Sequence, residues 1–195
     1  KATGGEIGYK GYMMDRRLRL TATAFYYKFK GLQLTSFDPT IAAYRVNNAA
    51  DVKQKGIEFE SDFKVSDALS IHASAAYVSV KYGDFDTASC FANQTVADGC
   101  VGGLQDLTGK QLHRAPKFVA GAGFTFDTPI NSDGNLRFGL SGDVRYRSGT
   151  YTSETMNPAG YQGKNALIHA SARLYDDDKG WELALIGRNL TNKRL

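Results

Sequence analysis

From residue 136 to residue 147, apolar and polar positions alternate without a break. Leu136, Phe138, Leu140, Gly142, Val144 and Tyr146 fall on one side, and Arg137, Gly139, Ser141, Asp143, Arg145 and Arg147 on the other. Successive side chains of a strand point to opposite faces, whereas a helix of about 3.6 residues per turn would mix the two sets. The segment reads as a strand with one apolar and one water-facing surface. The split recurs at Leu18, Leu20, Ala22, Ala24 and Tyr26 against Arg17, Arg19, Thr21, Thr23 and Phe25, and at Ala166, Ile168, Ala170, Ala172 and Leu174 against His169, Ser171 and Arg173. Phe118, Ala120, Ala122, Phe124 and Phe126 make another apolar row. Leu69, Ile71, Ala73, Ala75 and Tyr77 make one more, opposite Ser70, His72 and Ser74.

Three further strands are expected over residues 4–14, 54–65 and 181–191, which brings the set to about eight. In the second of them Glu58, Glu60, Asp62 and Lys64 alternate with Ile57, Phe59 and Phe63, so one face requires water. The connections alternate in length. Short turns fall near Asp15-Arg16, Ser66-Asp67, residues 131–134 and residues 176–180, and longer loops span residues 35–51, 83–115 and 148–164. In an up-and-down transmembrane barrel every second connection lies on the same side, short turns facing the periplasm and long loops the exterior. The alternation fits that architecture throughout.

Composition agrees. The chain of 195 residues carries 21 Gly, 11 Tyr and 11 Phe with only four Pro, a β-rich signature. It contains no run approaching the roughly 20 apolar residues of a membrane helix, which leaves barrels open because each strand hides its lipid face in alternation. The formal net charge of +4 comes from 24 Lys and Arg scattered among 20 acids, with no basic run heavier than Arg16-Arg17, so nucleic-acid binding is not expected. Cys90 and Cys100 sit in a polar stretch suited to a short disulfide loop in an oxidising compartment. Aromatic residues near strand ends (Tyr26, Tyr27, Tyr77, Tyr82, Tyr146, Tyr151, Tyr175 and Trp181) are expected to form girdles at the two membrane interfaces.

Chemistry for catalysis is thin. His72 and His169 alternate onto water-facing sides, His113 lies in a loop, and there is no nucleophile elbow, zinc-protease motif or phosphate loop. Ser74 and His72 share a face but lack a recognisable third partner, so an outer-membrane hydrolase is a weak competitor. The Asp176–Asp178 triplet is read as a turn ahead of a calcium site. Neither a metal nor a cofactor is expected.

Several motifs, in order along the chain, resemble the C-terminal strands of TonB-dependent outer-membrane receptors. Glu6-Ile7-Gly8-Tyr9-Lys10-Gly11 resembles the family's E-x-G-x-K strand, and residues 18–27, with Ala24-Phe25-Tyr26 near their end, the strand after it. Asn48-Ala49 followed by Gly56-Ile57-Glu58-Phe59 is similar to its N-A…G-[VI]-E signature. Arg114-Ala115-Pro116 is similar to its R-x-P, and residues 181–192 to its W-x-L-x-L-x-x-x-N-L-x-N pattern.

The resemblance implies an all-β fold, an antiparallel up-and-down transmembrane β-barrel, of which residues 1–195 supply about eight consecutive strands of a wall of roughly 22. It implies a bacterial outer-membrane location and uptake of a scarce nutrient such as a ferric siderophore, not catalysis. The implied partners are outer-membrane lipid, a plug domain and through it TonB, and a small-molecule or metal-chelate substrate. Neither plug nor TonB box is seen in these residues, and the chain stops at Arg194-Leu195 just after the penultimate strand of the family pattern, so it is expected to be a partial barrel domain without plug or final strand. A self-contained eight-strand barrel acting as an anchor or adhesin is the alternative, and the Arg188-Asn189-Leu190-Thr191 ending without a terminal aromatic counts against it.

Two sets of side chains are expected to meet other molecules. Arg137, Arg145, Arg147 and Arg173 form a lumenal stripe able to hold carboxylates bidentately, those of a plug in preference to those of a substrate. Tyr82, Phe85, Phe91, Tyr151 and Tyr161 in the external loops offer stacking surfaces to a substrate, and Asn93, Gln94 and Gln105 offer amide hydrogen bonds.

Overall fold

The fold is taken from a computed structural model, which describes residues 1–38, 43–49 and 51–193. Its strands are β1 (Ala2–Met13), β2 (Leu18–Phe29), β3 (Leu32–Asp38), β4 (Ala43–Ala49), β5 (Val52–Lys64), β6 (Leu69–Tyr82), β7 (Ala88–Ser89), β8 (Leu104–Gln105), β9 (Phe118–Pro129), β10 (Leu136–Arg147), β11 (Thr150–Tyr151), β12 (Tyr161–Gln162), β13 (Asn165–Asp176) and β14 (Trp181–Gly187). Eight of them form one antiparallel sheet in the order β1-β2-β5-β6-β9-β10-β13-β14, each long strand lying beside the next along the chain. The sheet is open, with β1 and β14 at its two edges.

The strand pairings convert the alternation into two continuous surfaces. Glu60 lies opposite Thr21 on one side and Ser74 on the other, Ser74 opposite Gly121, and Gly121 opposite Arg145. One position along, Phe59 lies between Ala22 and Ala75, and Ala120 between Ala75 and Tyr146. A slip of one residue would exchange the faces, so the shared apolar face holds the register.

Among the described residues, none forms a protein layer over the apolar face. Ile57 is 60% exposed, Leu183 70% and Leu185 78%, and Ile71, Val144 and Ile168 are likewise open. A contiguous apolar surface across eight strands suits hydrocarbon rather than water. The buried apolar cluster among the described residues lies elsewhere, at one end of the polar face, where Val52, Val80, Tyr82, Phe85, Ala88 and Leu107 pack together.

The turns at the short-connection end have simple causes. Met14, Asp15 and Arg16 take positive φ between β1 and β2, Gly134 (φ 81°) closes the β9–β10 turn, and Gly180 (φ 64°) donates its N–H to the Asp176 carbonyl at 2.9 Å. At the other end the loops hold more structure than expected. The connection expected over residues 35–51 contains the β3–β4 ribbon, residues 83–115 the β7–β8 ribbon and a 3-10 turn at Val96–Asp98, and residues 148–164 the β11–β12 ribbon. The side chains of Asn48 and Ala49, and the Arg194-Leu195 end, lie outside the described residues.

Two expectations need correction. The last strand ends at Gly187 rather than near residue 191, because Asn189 takes a positive φ of 51°, although the Leu190 N–H still reaches the Ile168 carbonyl at 2.9 Å. Only Tyr26, Tyr77, Tyr146 and Trp181 of the expected girdle stand on the apolar face. Tyr27 and Tyr175 fall on the polar face by strand parity, Tyr82 is enclosed under the loop of residues 83–117, and Tyr151 lies in the β11–β12 ribbon.

Candidate functional site

The polar face forms the lumenal wall. Its middle is a groove of about 620 Å³ lined by Glu58, Glu60, His72, Ser74, Asp143 and Arg145, with Gly121 in its floor. A second hollow beside it shares Asp143 and Arg145 and adds His169, Ser171 and Arg188. The glycines make room for neighbouring side chains. A Cβ on Gly123 would stand 2.6 Å from His72 Cε1 and 2.7 Å from the Gly142 carbonyl oxygen, so the imidazole lies across the bare backbone. Gly139 does the same for Arg173, and Gly56, the glycine of the G-I-E motif, for the Phe25 ring.

The arginine stripe divides into bound and open members. Asp127 of β9 accepts from Arg137 Nε at 2.7 Å, from Arg173 at 3.1 Å and from the Tyr175 hydroxyl at 2.7 Å, which ties β9, β10 and β13 together near their short turns. Arg147 donates to Gln162 Oε1 at 2.7 Å, on the ribbon of the loop above it. Arg145 reaches Asp143 only at 3.5 Å with its side chain 78% exposed, so it is the member best placed to meet another molecule. Sequence reasoning missed Asp127 and placed Tyr175 in the aromatic girdle. Their strand parity puts both on the arginine face, and that was the available signal.

Above the groove, the loop of residues 83–117 folds against the lumenal side of the strand ends. Phe85 and Leu107 insert against Val52, Val80 and Tyr82, with Phe29, Leu112 and Met156 at the rim. Full burial of each large apolar side chain here contributes roughly 2 kcal/mol. Cys90 and Cys100 are joined in a disulfide around the 3-10 turn, where Thr95 and Asp98 cap each other. Gln105 Nε2 donates to the Ser89 carbonyl at 2.8 Å and to the Thr155 carbonyl at 2.9 Å, and Arg114 Nε to the Thr152 carbonyl at 2.9 Å. The two loops therefore form one cap.

This changes the expected ligand contacts. Tyr82 and Phe85 are 2% and 3% exposed, so they hold the cap together and present no stacking surface. Gln94 and Gln105 spend their amides within the cap. Tyr161 is 53% exposed and packs edge-on against Tyr151 with ring centroids 5.1 Å apart, and Phe91 is partly exposed.

Tyr82 and His113 meet beneath the cap, hydroxyl and Nδ1 3.0 Å apart. Burial lowers the pKa of His113, which lies in the loop, a shift opposed by nearby Glu154 and reinforced by Arg114. The folded cap thus binds fewer protons than the opened loop between the depressed value and about 6.5. The stability that His113 contributes to the cap is fully present above about 6.5 and is lost as the pH falls through the window. The protection factors of residues 83–117 against hydrogen exchange, corrected for the intrinsic pH dependence of amide exchange, are expected to fall in the full-length protein as the pH drops below about 6.5, and His113→Gln is expected to remove the step. An unchanged pH profile in the variant would refute this origin.

The sequence profile described as TonB dependent receptor-like, beta-barrel matches residues 1–190. A sequence search of curated proteins finds no significant match. Among solved structures the chain is similar to the ferric yersiniabactin uptake receptor FyuA from Yersinia pestis, with TM-score 0.69 and 14% identity over 98% of this chain and 25% of that one. It is also similar to BauA, the ferric preacinetobactin receptor from Acinetobacter baumannii, with TM-score 0.64 and 17% identity over 98% and 25%. The pyoverdine outer membrane receptor FpvA from Pseudomonas aeruginosa gives TM-score 0.60 and 15% identity over 98% and 26%. The chain spans about a quarter of each of these proteins. At such identities the likeness shows the fold, and the profile match over nearly the whole chain shows the family: the protein belongs to the TonB-dependent-receptor-like β-barrels.

Proposed function

We propose that this chain is a section of the wall of an outer-membrane receptor that takes up a scarce iron chelate, such as a ferric siderophore, with energy delivered through TonB. The observation that carries the reading is the two-sided sheet, whose exposed apolar face suits lipid while its polar face lines a passage roofed by an ordered loop cap. The matched structures named for ferric-siderophore uptake support an iron chelate as cargo. In this reading Tyr161, Tyr151 and Phe91 line the outer approach, and Arg145 faces the lumen, where the carboxylates of a plug domain or an anionic cargo would meet it. The wall binds and guides; it performs no chemistry.

The test is uptake of radiolabelled ferric siderophores by iron-starved cells carrying or lacking the full-length gene. Deletion is expected to abolish accumulation of one chelate, and wild-type accumulation to cease when the proton gradient is dissipated. Replacing Tyr151 and Tyr161 together by alanine is expected to weaken chelate binding by about tenfold, the loss of two aromatic contacts worth roughly 0.7 kcal/mol each. Unchanged uptake of every iron chelate on deletion would overturn the reading.

A further inference from the structure

Arg114-Ala115-Pro116 lies where the chain leaves the cap and enters the wall, two residues ahead of β9. A proline keeps the residue before it out of helical backbone. Ala115 packs against the cluster beneath the cap, and its carbonyl accepts from Gln111 Nε2 at 2.9 Å. The Lys117 carbonyl then accepts the Val78 N–H at 2.8 Å, which brings the chain alongside β6. Arg114 is thereby fixed relative to both cap and wall. It takes a positive φ of 54°, uncommon for a residue with a Cβ. Its backbone N–H donates to the Tyr151 carbonyl at 2.8 Å and its Nε to the Thr152 carbonyl at 2.9 Å, so one residue of the first loop holds two successive carbonyls of the second.

Those carbonyls belong to the ribbon that carries the aromatic pair. Tyr151 of β11 lies opposite Tyr161 of β12, and the Tyr161 ring lies over Gly149, where a Cβ would collide with its hydroxyl. Thr152 closes the ribbon, its N–H and hydroxyl both donating to the Gly160 carbonyl, at 3.0 and 2.9 Å. A pair of two-residue strands is too short to be stable alone. Its place is therefore set by what grips it, Arg114 on the β11 side and Arg147 on the β12 side through Gln162.

We propose that Arg114 is a positioning residue for cargo, which sets the Tyr151–Tyr161 pair in place before a chelate arrives. The inference rests on the reading of Tyr151 and Tyr161 as cargo contacts. A loop that must be ordered on binding deducts that cost from affinity, and a loop already held does not. The hydrogen bond from a guanidinium is charge-assisted and stronger than a neutral one, and the bond from the backbone N–H survives any change of side chain, so loss of the guanidinium loosens the ribbon without freeing it.

The test uses the full-length protein purified from outer membranes. Hydrogen exchange is measured without ligand, and affinity by fluorescence titration with ferric complexes of phenolate, catecholate and hydroxamate chelators. In the wild type, residues 150–162 are expected to be protected together with residues 83–117. R114M keeps the length of the side chain and loses the donor. It is expected to speed exchange at residues 150–162, to leave residues 83–112 protected, and to weaken binding of the preferred chelate about fivefold, roughly 1 kcal/mol. R114Q puts an amide nitrogen where arginine has Nε and is expected to restore both. Methionine and glutamine each carry a Cβ, so the backbone cost at this φ is common to all three proteins. With Tyr151 and Tyr161 already replaced by alanine, R114M is expected to add nothing, the triple variant binding about tenfold rather than about fiftyfold more weakly than the wild type, because the residues act as one unit.

Multiplying losses would overturn the proposal, as would R114Q no better than R114M, or exchange at residues 150–162 indifferent to R114M. Rapid exchange of residues 150–162 in the wild type would overturn it even if R114M failed to insert. A wild type that binds none of the ferric chelates sinks the uptake reading and this one with it, whereas a protein that loses affinity in Y151A/Y161A and keeps it in R114M sinks this one alone.

Discussion

Asp127→Ala is expected to destabilise the folded barrel by about 3 kcal/mol, seen as a lower temperature for loss of the heat-modifiable band of the full-length protein. The carboxylate is the shared acceptor for Arg137, Arg173 and Tyr175, and its side chain is only 20% exposed. Its removal leaves two guanidinium groups close together with no counter-charge, so the cost exceeds that of one lost hydrogen bond. The lumen is wet, which keeps the cost below that of a dry interior. Asp127→Asn is expected to fall between the two, since it keeps an acceptor and loses the charge. A third variant separates the causes: Asp127→Ala with Arg137→Met should recover part of the loss, because deleting both partners costs less than orphaning one. If Asp127→Ala melts with the wild type, the cluster is surface decoration.

Removal of the disulfide is expected to act on the cap and leave the wall intact. The bridged cysteines are 10 positions apart, for which loop-closure entropy gives about 3 kcal/mol. Thr95, Asp98 and Gln94 hold the same turn by hydrogen bonds, so part of the local shape survives reduction. Cells carrying the full-length Cys90→Ser/Cys100→Ser protein should be nicked within residues 83–117 by added protease well before the wild type, while the melting of the heat-modifiable band stays unchanged. A fall in the melting of the whole barrel would mean that the cap and the wall fold as one cooperative unit, joined through the cluster that Val52, Val80 and Tyr82 share with Phe85 and Leu107.

The lumenal groove was legible only in part. His72, Arg145 and the glycines at 121 and 123 follow directly from the alternation, and their cross-strand neighbours follow once the register is known. The pairing of Arg137 and Arg173 with Asp127 was not legible, because the three residues come from different strands and nothing local marks them as partners. The roles of Tyr82 and Phe85 were misread for a related reason. A loop aromatic looks the same in sequence whether it faces a ligand or fills the underside of its own loop.

The sequence by itself determined the strands, their two faces and the alternation of short turns with long connections, since side-chain period and turn chemistry are local properties written residue by residue. Its motifs sufficed to point to the family. Which polar residues neutralise one another, which aromatics stand outward, and that the long loops close into a stapled cap became visible in the folded structure alone, because those outcomes depend on strand register and on contacts between segments far apart in the chain.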